Sequence, residues 1–176
     1  KFGSSPIDRK VVTCETPDGE PIDVDVEGSE PVIFIFKTLI EEHVGALSFF
    51  RIYSGELKTG DTLHNAVTGE SERIGQILLP NGKERIASNH LKSGEIGALV
   101  KLKNTHTNDT LCSPKLKARL PQIDYPAPNI HAALNIKTRG DEEKVAEGLA
   151  IIHEEDPAFR FRADPELKQT ILSGQG

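Results

Sequence analysis

The 176-residue chain has no Met, no Trp, two Cys and 5% aromatic residues, and each scarcity excludes something. Cys14 and Cys112 are too few for a disulfide framework or a thiolate metal centre, so a reduced, cytoplasmic setting is expected. The six histidines are scattered and none forms H-E-x-x-H, which leaves them as packing or surface residues and not metal ligands. The longest apolar run, Pro31 to Phe36, is far short of the roughly 20 residues a membrane-spanning helix needs, so no membrane segment is expected. Lys1-Phe2-Gly3-Ser4-Ser5 has neither an initiator Met nor a signal-type apolar stretch, and reads as an excised start.

An excess of positive charge is also missing. The net charge of -6 argues against a protein that wraps nucleic acid by bulk charge. Its distribution is uneven: residues 1 to 31 carry eight acids against three bases, residues 32 to 114 nine of each, and residues 115 to 176 ten acids against nine bases. A local basic patch in the middle stretch is compatible with that balance.

What is present begins with a hairpin. Thr16-Pro17-Asp18-Gly19 presets a tight turn, and Ile22, Val24 and Val26 alternate with Asp23, Asp25 and Glu27 at the period of a half-exposed strand. With no turn to bring further oxygens beside Asp23 and Asp25, those acids read as a solvated face and not a metal site. From Pro31 to Pro114, strand-like runs recur about every ten residues: Val32 to Phe36, Leu47 to Tyr53, Thr62 to Asn65, Glu72 to Leu79, Glu84 to Ala87 and Glu95 to Leu102. Gly-, Asn- or Asp-containing turns separate them, a pattern that implies an all-β antiparallel barrel or sandwich.

Prolines 114, 121, 126 and 128 form a stiff joint, and beyond it the period changes. Ile130, Ala132, Leu134 and Ile136 alternate as a strand. Asp141-Glu142-Glu143-Lys144 then opens a helix, with Asp141 or its predecessor as cap and Val145, Leu149 and Ile152 on one face. Glu155-Asp156-Pro157 ends it, Phe159 and Phe161 alternate with Arg160 and Arg162 in a second strand, and Thr170 to Leu172 make a third. The order β-α-β-β is four of the six elements of a ferredoxin-like fold, and another helix can begin after Gly174. On that fold the second domain is partial and should be the less stable part. The expected division is 1–30, an acidic lead-in hairpin and joint; 31–118, the barrel; and 119–176, the partial ferredoxin-like α+β domain.

No catalytic motif stands out. A phosphate-cradling G-x-x-x-x-G-K-[ST] fails at Gly82-Lys83, because Ile77 replaces the first Gly and Glu84 the hydroxyl residue. There is no G-x-S-x-G elbow either, so no catalytic residue is assigned, no cofactor is expected on the chain, and it is read as a non-enzyme.

One ordered string is more specific. Val44-Gly45-Ala46-Leu47-Ser48-Phe49-Phe50-Arg51-Ile52-Tyr53-Ser54-Gly55-Glu56-Leu57-Lys58-Thr59-Gly60-Asp61 resembles the V-G-x-L-x-F-x-R-V-Y-S-G-x-L-x-x-G-D run of the second domain of translational GTPases. Glu72-Arg73-Ile74-Gly75-Gln76-Ile77-Leu78 is similar to the same domain's E-R-I-G-x-I-L strand. Ser93-Gly94-Glu95-Ile96 and Thr110-Leu111-Cys112 are similar to its ending, and Ser5-Pro6-Ile7-Asp8 to the joint that leaves the GTPase domain. Lys137-Thr138, Asp141, Lys144, Glu155-Asp156-Pro157, Phe159, Asp164 and Gln169 to Gly174 follow the third-domain pattern of elongation factor G, which selects that branch. Gln175 stands where the commonest family form has Met, and Ala46 where it often has Arg, so a paralogue acting in ribosome recycling or regulation stays open.

The resemblance implies a translation elongation factor whose barrel touches small-subunit ribosomal RNA. Its third domain would touch a ribosomal protein and the GTPase domain, the whole coupling GTP hydrolysis to translocation. GTP and magnesium then belong to the parent protein, itself a ribosome-dependent GTPase. Phosphate contacts demand Arg or Lys on an exposed rim, so Arg51, Lys58, Arg73, Lys83 and Arg85 are the RNA-contact candidates. Lys137 and Thr138 lie in the K-T motif that in the family faces the GTPase domain and borders the fusidic-acid pocket, and are the coupling candidates. A free-standing barrel module that binds RNA without a GTPase is the other reading open.

Overall fold

A computed structural model describes residues 8–41, 43–82, 84–138, 140–166 and 169–176. The chain divides into two compact units, one running to Gln122 and one from Ile123 to Gly176.

The first unit opens with the expected hairpin, β1 (Val11–Glu15) and β2 (Pro21–Asp25), closed by hydrogen bonds from Gly19 N to Thr16 O at 2.9 Å and from Glu20 N to Thr16 Oγ1 at 3.1 Å. Asp23, Asp25 and Glu27 are exposed, while Cys14 and Val24 turn inward. Among the described residues ten further strands follow. They are β3 (Val32–Glu41), β4 (Gly45–Ser54), β5 (Glu56–Lys58), β6 (Thr62–Asn65), β7 (Ser71–Arg73), β8 (Ile77–Asn81), β9 (Glu84–Ser88), β10 (His90–Lys92), β11 (Ile96–Val100) and β12 (Thr110–Cys112). Eight of them form one antiparallel, barrel-like sheet in the order β7-β6-β12-β3-β4-β11-β8-β9, and β5 and β10 pair as a separate ribbon.

Period-2 alternation sends Ile33, Ile35, Phe50, Ile52, Leu63, Leu99 and Leu111 to one side, where Leu57, Ile74, Ile77 and Leu91 complete a buried core. At about 1.5 to 3 kcal/mol for each large side chain removed from water, this cluster is the dominant stabilisation of the unit. Gly97 is part of the fit: a Cβ there would stand 2.5 Å from Leu91 Cδ1 and 2.7 Å from Phe50 Cζ.

A second cluster joins the hairpin to the sheet. Cys14 and Val24 pack with Val32, Phe34, Cys112, Ala118 and Leu120, and Glu15 and Arg119 exchange backbone hydrogen bonds of 2.7 and 2.8 Å. The hairpin and residues 116–120 are therefore built into the barrel unit.

The run Glu72 to Leu79, expected as one strand, is two. Ile74 is 1% exposed, its N–H reaches Asp61 O at 2.8 Å and its carbonyl accepts from Gly60 N at 2.8 Å, so the chain turns inward after β7 and restarts as β8 against β11. Burial of Glu72, only 3% exposed, has a specific cause. Its Oε1 accepts from Lys103 N at 2.9 Å, Asn104 N at 2.6 Å and Thr105 Oγ1 at 3.0 Å. Asp109 Oδ2 likewise accepts from Asn65 Nδ2 and His106 N, both at 2.9 Å. Two buried carboxylates thus clasp the loop between β11 and β12, whose donors would otherwise be orphaned.

The second unit contains β13 (Ile130–Leu134), α1 (Glu142–Glu155), β14 (Arg160–Asp164) and β15 (Gln169–Gly174). Its antiparallel sheet has the order β13-β15-β14, so the helix crosses between strands that flank β15, the split β-α-β arrangement of a ferredoxin-like domain. Asp141 is the N-terminal cap residue but makes no side-chain cap bond, since Oδ1 lies 3.5 Å from Lys144 Nζ; Glu142 Oε2 instead accepts from Gly140 N at 2.7 Å. Of the expected helical stripe only Leu149 is buried; Ile152 is 47% exposed, because a single helix does not cover the width of the sheet. Gln175 ties the entry to this unit: its Nε2 donates to Pro126 O at 3.2 Å and Ala127 O at 2.6 Å. Among the described residues no helix is long and apolar enough to cross a membrane.

Candidate nucleic-acid interface

The basic candidates of the barrel sit on different strands. Arg51 lies on β4 in register with Phe34 and Ile96, its guanidinium carbon 5.7 Å from the centre of the Tyr53 ring and its Nε buried without a hydrogen-bond partner. Half-buried and stacked, it spends part of its reach on packing, a contact worth about 0.5 to 1 kcal/mol. Lys58 is exposed at the end of β5, with Nζ 3.3 Å from Glu56. Arg85, on β9, forms an ion pair with Glu41 at the end of β3. Arg73 is exposed on β7 and makes no ion pair among the described residues. Lys83 lies outside the described residues, as do Ser5, Pro6 and Ile7 of the joint. The pairing order puts Arg73 and Arg85 on its two end strands, Arg51 at its middle and Lys58 on the separate ribbon.

Lys58 does border a cleft of about 720 Å³, together with Lys92, Glu27, Gly55, Asp61 and Ser113. Gly55 shapes its wall: φ is +72°, and a Cβ there would stand 2.7 Å from the carbonyl carbon of Glu30. Asp61 is occupied in its own turn, accepting from Lys58 N at 2.8 Å. Mixed charges and hydroxyls suit hydrogen bonding to a ligand. Lys92 escaped the sequence reading because its neighbour in register, Glu56, is brought beside it only by the pairing of β5 with β10.

Neither thiol is set up as a nucleophile. Burial first, then the neighbouring Cys112 and Asp23, push the Cys14 thiol up to about 11. Burial also raises Cys112, against backbone hydrogen bonds from Ala118 and Lys117 that lower it. Among the described residues no group of three or more His, Cys, Asp or Glu is placed to hold a metal ion. Lys137 and Thr138 are exposed in the loop between β13 and α1, where Thr138 O accepts from Asp141 N at 3.4 Å.

Comparison with known proteins agrees with this architecture. A family model described as elongation factor G domain 2 matches residues 30–114, and one described as elongation factor G, domain III, matches residues 125–176. Among solved structures, a crystal structure of a Thermus thermophilus protein is similar at 27% identity with a TM-score of 0.73, over 85% of this chain and 23% of that one. The chain thus spans less than a quarter of the length of the solved protein it matches.

Proposed function

The chain belongs to the elongation factor G family, carrying its domains II and III in that order, and from that premise we propose that it is a ribosome-binding part of a translocation factor. The observation that carries the proposal is the succession of the two domains in one chain, a barrel matched over 30–114 followed by a ferredoxin-like unit matched over 125–176. The barrel leans on small-subunit ribosomal RNA, with Arg73 the best placed of the basic candidates because it is exposed and lacks an ion-pair partner among the described residues. Lys137 and Thr138 face the GTPase domain of the whole protein, which supplies GTP and magnesium and couples hydrolysis to movement of tRNA and mRNA. The reaction is not located on these two domains.

Sedimentation of the chain with ribosomes through a dense cushion tests this. Pelleting that an intact elongation factor G competes away is expected, with Arg73→Ala lowering the salt slope of binding by about one. A chain that stays in the supernatant at low ionic strength overturns the proposal.

A further inference from the structure

The second unit carries ten acids and six bases in residues 123–176, so on bulk charge it repels polyanions. The charges are segregated. Seven of the ten acids, Asp141, Glu142, Glu143, Glu147, Glu154, Glu155 and Asp156, lie on α1 or at its ends. The strand register assigns the two faces of the sheet. Phe161 meets His153 of α1 edge-on, with ring centres 6.2 Å apart, and stands in register with Leu172 and Ala132, so these residues face the helix. The alternate residues face away: one row across the sheet is Arg160, Ser173 and His131, and the next is Arg162, Ile171 and Ala133.

This open face is built for an anion. Arg160 and Arg162 are exposed, and no ion pair or hydrogen bond occupies either guanidinium among the described residues. On the same face of edge strand β14, two residues apart, they stand about 6.6 Å from each other along the strand. Each presents a planar fork that suits phosphate oxygens. Beside them, His131 Nδ1 and Ser173 Oγ are 2.8 Å apart, giving an exposed ring and a hydroxyl within one row. Among the described strand residues the acid on this face is Asp164, at its far end, where it accepts from Glu166 N at 3.1 Å.

We propose that the sheet face of the second unit opposite α1 is a docking surface for an extended RNA strand, its phosphates held by Arg160 and Arg162. The His131–Ser173 row meets the bases, stacking and hydrogen bonding being how splayed-out bases are held on protein surfaces. The acidic helix keeps the strand off the opposite face and so sets its orientation. The inference deepens the ribosome reading and rests on it for the source of the RNA, but binding by the surface is measurable without a ribosome.

The test is amide NMR of the whole chain titrated with an oligouridine, for the wild type and for R160A/R162A. Shifts centred on His131, Arg160, Arg162 and Ser173 are expected. The double variant should lower the slope of log affinity against log salt by about 1.4, the loss of two single-strand phosphate contacts. Unchanged α1 resonances would show that the variant is folded. Shifts centred on the barrel, or oligoglutamate moving the same amides as far as oligouridine does, overturn the proposal. If R160A/R162A pellets with ribosomes as the wild type does and the oligouridine leaves the face unperturbed, the docking surface is refuted while ribosome binding survives. Binding of oligouridine to the face by a chain that fails to pellet supports the docking surface and sinks the ribosome reading.

Discussion

In the first unit eleven apolar side chains from Ile33 to Leu111 close into one core, whereas in the second Leu149 is the one buried apolar side chain among the described residues. The second unit, less than half as long, leaves Ile123, Ile130, Ile136, Ile151, Ile152 and Phe161 between 36% and 55% exposed. The contrast follows from topology. An eight-strand curved sheet covers its own inner face, while a three-strand sheet with one helix covers only the strip beneath that helix. Units that bury so differently should open with different free energies. The largest expected effect is therefore in hydrogen exchange: amides of β13 and β15 should exchange on the order of 100-fold faster than those of β3, β4 and β11, the ratio for about 3 kcal/mol of opening free energy. Equal protection across both units would break the comparison.

Much of this contrast is legible in the sequence. The hairpin, the strand Thr62–Asn65, the helix and its end at Asp156-Pro157, and the β-α-β-β order follow from turn residues and periodicity, which act over a few neighbours. The three-residue strands β5, β10 and β12 are not legible, because such short segments show no period and exist only through partners 34 to 78 residues away, as Leu57 with Leu91 and Leu111 with Ile33. The candidate site is less legible still. Periodicity turns Arg85 and Arg51 outward, but nothing in it shows that Glu41 neutralises the one and that Tyr53 lies under the other. Arg160 and Arg162 show in the sequence as an alternation; what makes them a surface is the register that sets Ser173 and His131 beside Arg160, and the acidic helix on the opposite side.

The Glu72 clasp offers a sharper cut between the units. Glu72→Ala removes the acceptor for two backbone N–H groups and the Thr105 hydroxyl, and should cost the first unit about 2 to 4 kcal/mol, read as a lowered denaturation midpoint. Glu72→Gln keeps an oxygen that can accept the same three bonds, so it should recover most of that loss, short by the charge assistance of the carboxylate. Exchange in β13–β15 should be unchanged in either variant. Accelerated exchange there would mean that the two units share their stability, and the comparison between them would have to be redrawn as one cooperative fold.

The smallest expected effect lies at Gln175, where the residue departs from the family's commonest Met. The side chain is exposed, yet its amide donates to Pro126 and Ala127 and its carbonyl oxygen lies 3.4 Å from Asn129 Nδ2, so the segment entering the unit is tied to the end of its last strand. A thioether has no donor for those carbonyls. Gln175→Met should therefore cost about 1 kcal/mol, toward the low side of two ordinary hydrogen bonds because water can replace them at this exposed site. The loss should appear only in the second unit, as faster exchange at Asn129 and in β13, with the barrel's denaturation midpoint unmoved. A unit with one buried apolar anchor is sensitive to a loss of that size, whereas the barrel, with its eleven-residue core, is not. Unchanged exchange in Gln175→Met would show that the tie contributes nothing and that Leu149 and the strand ladder alone hold the second unit together.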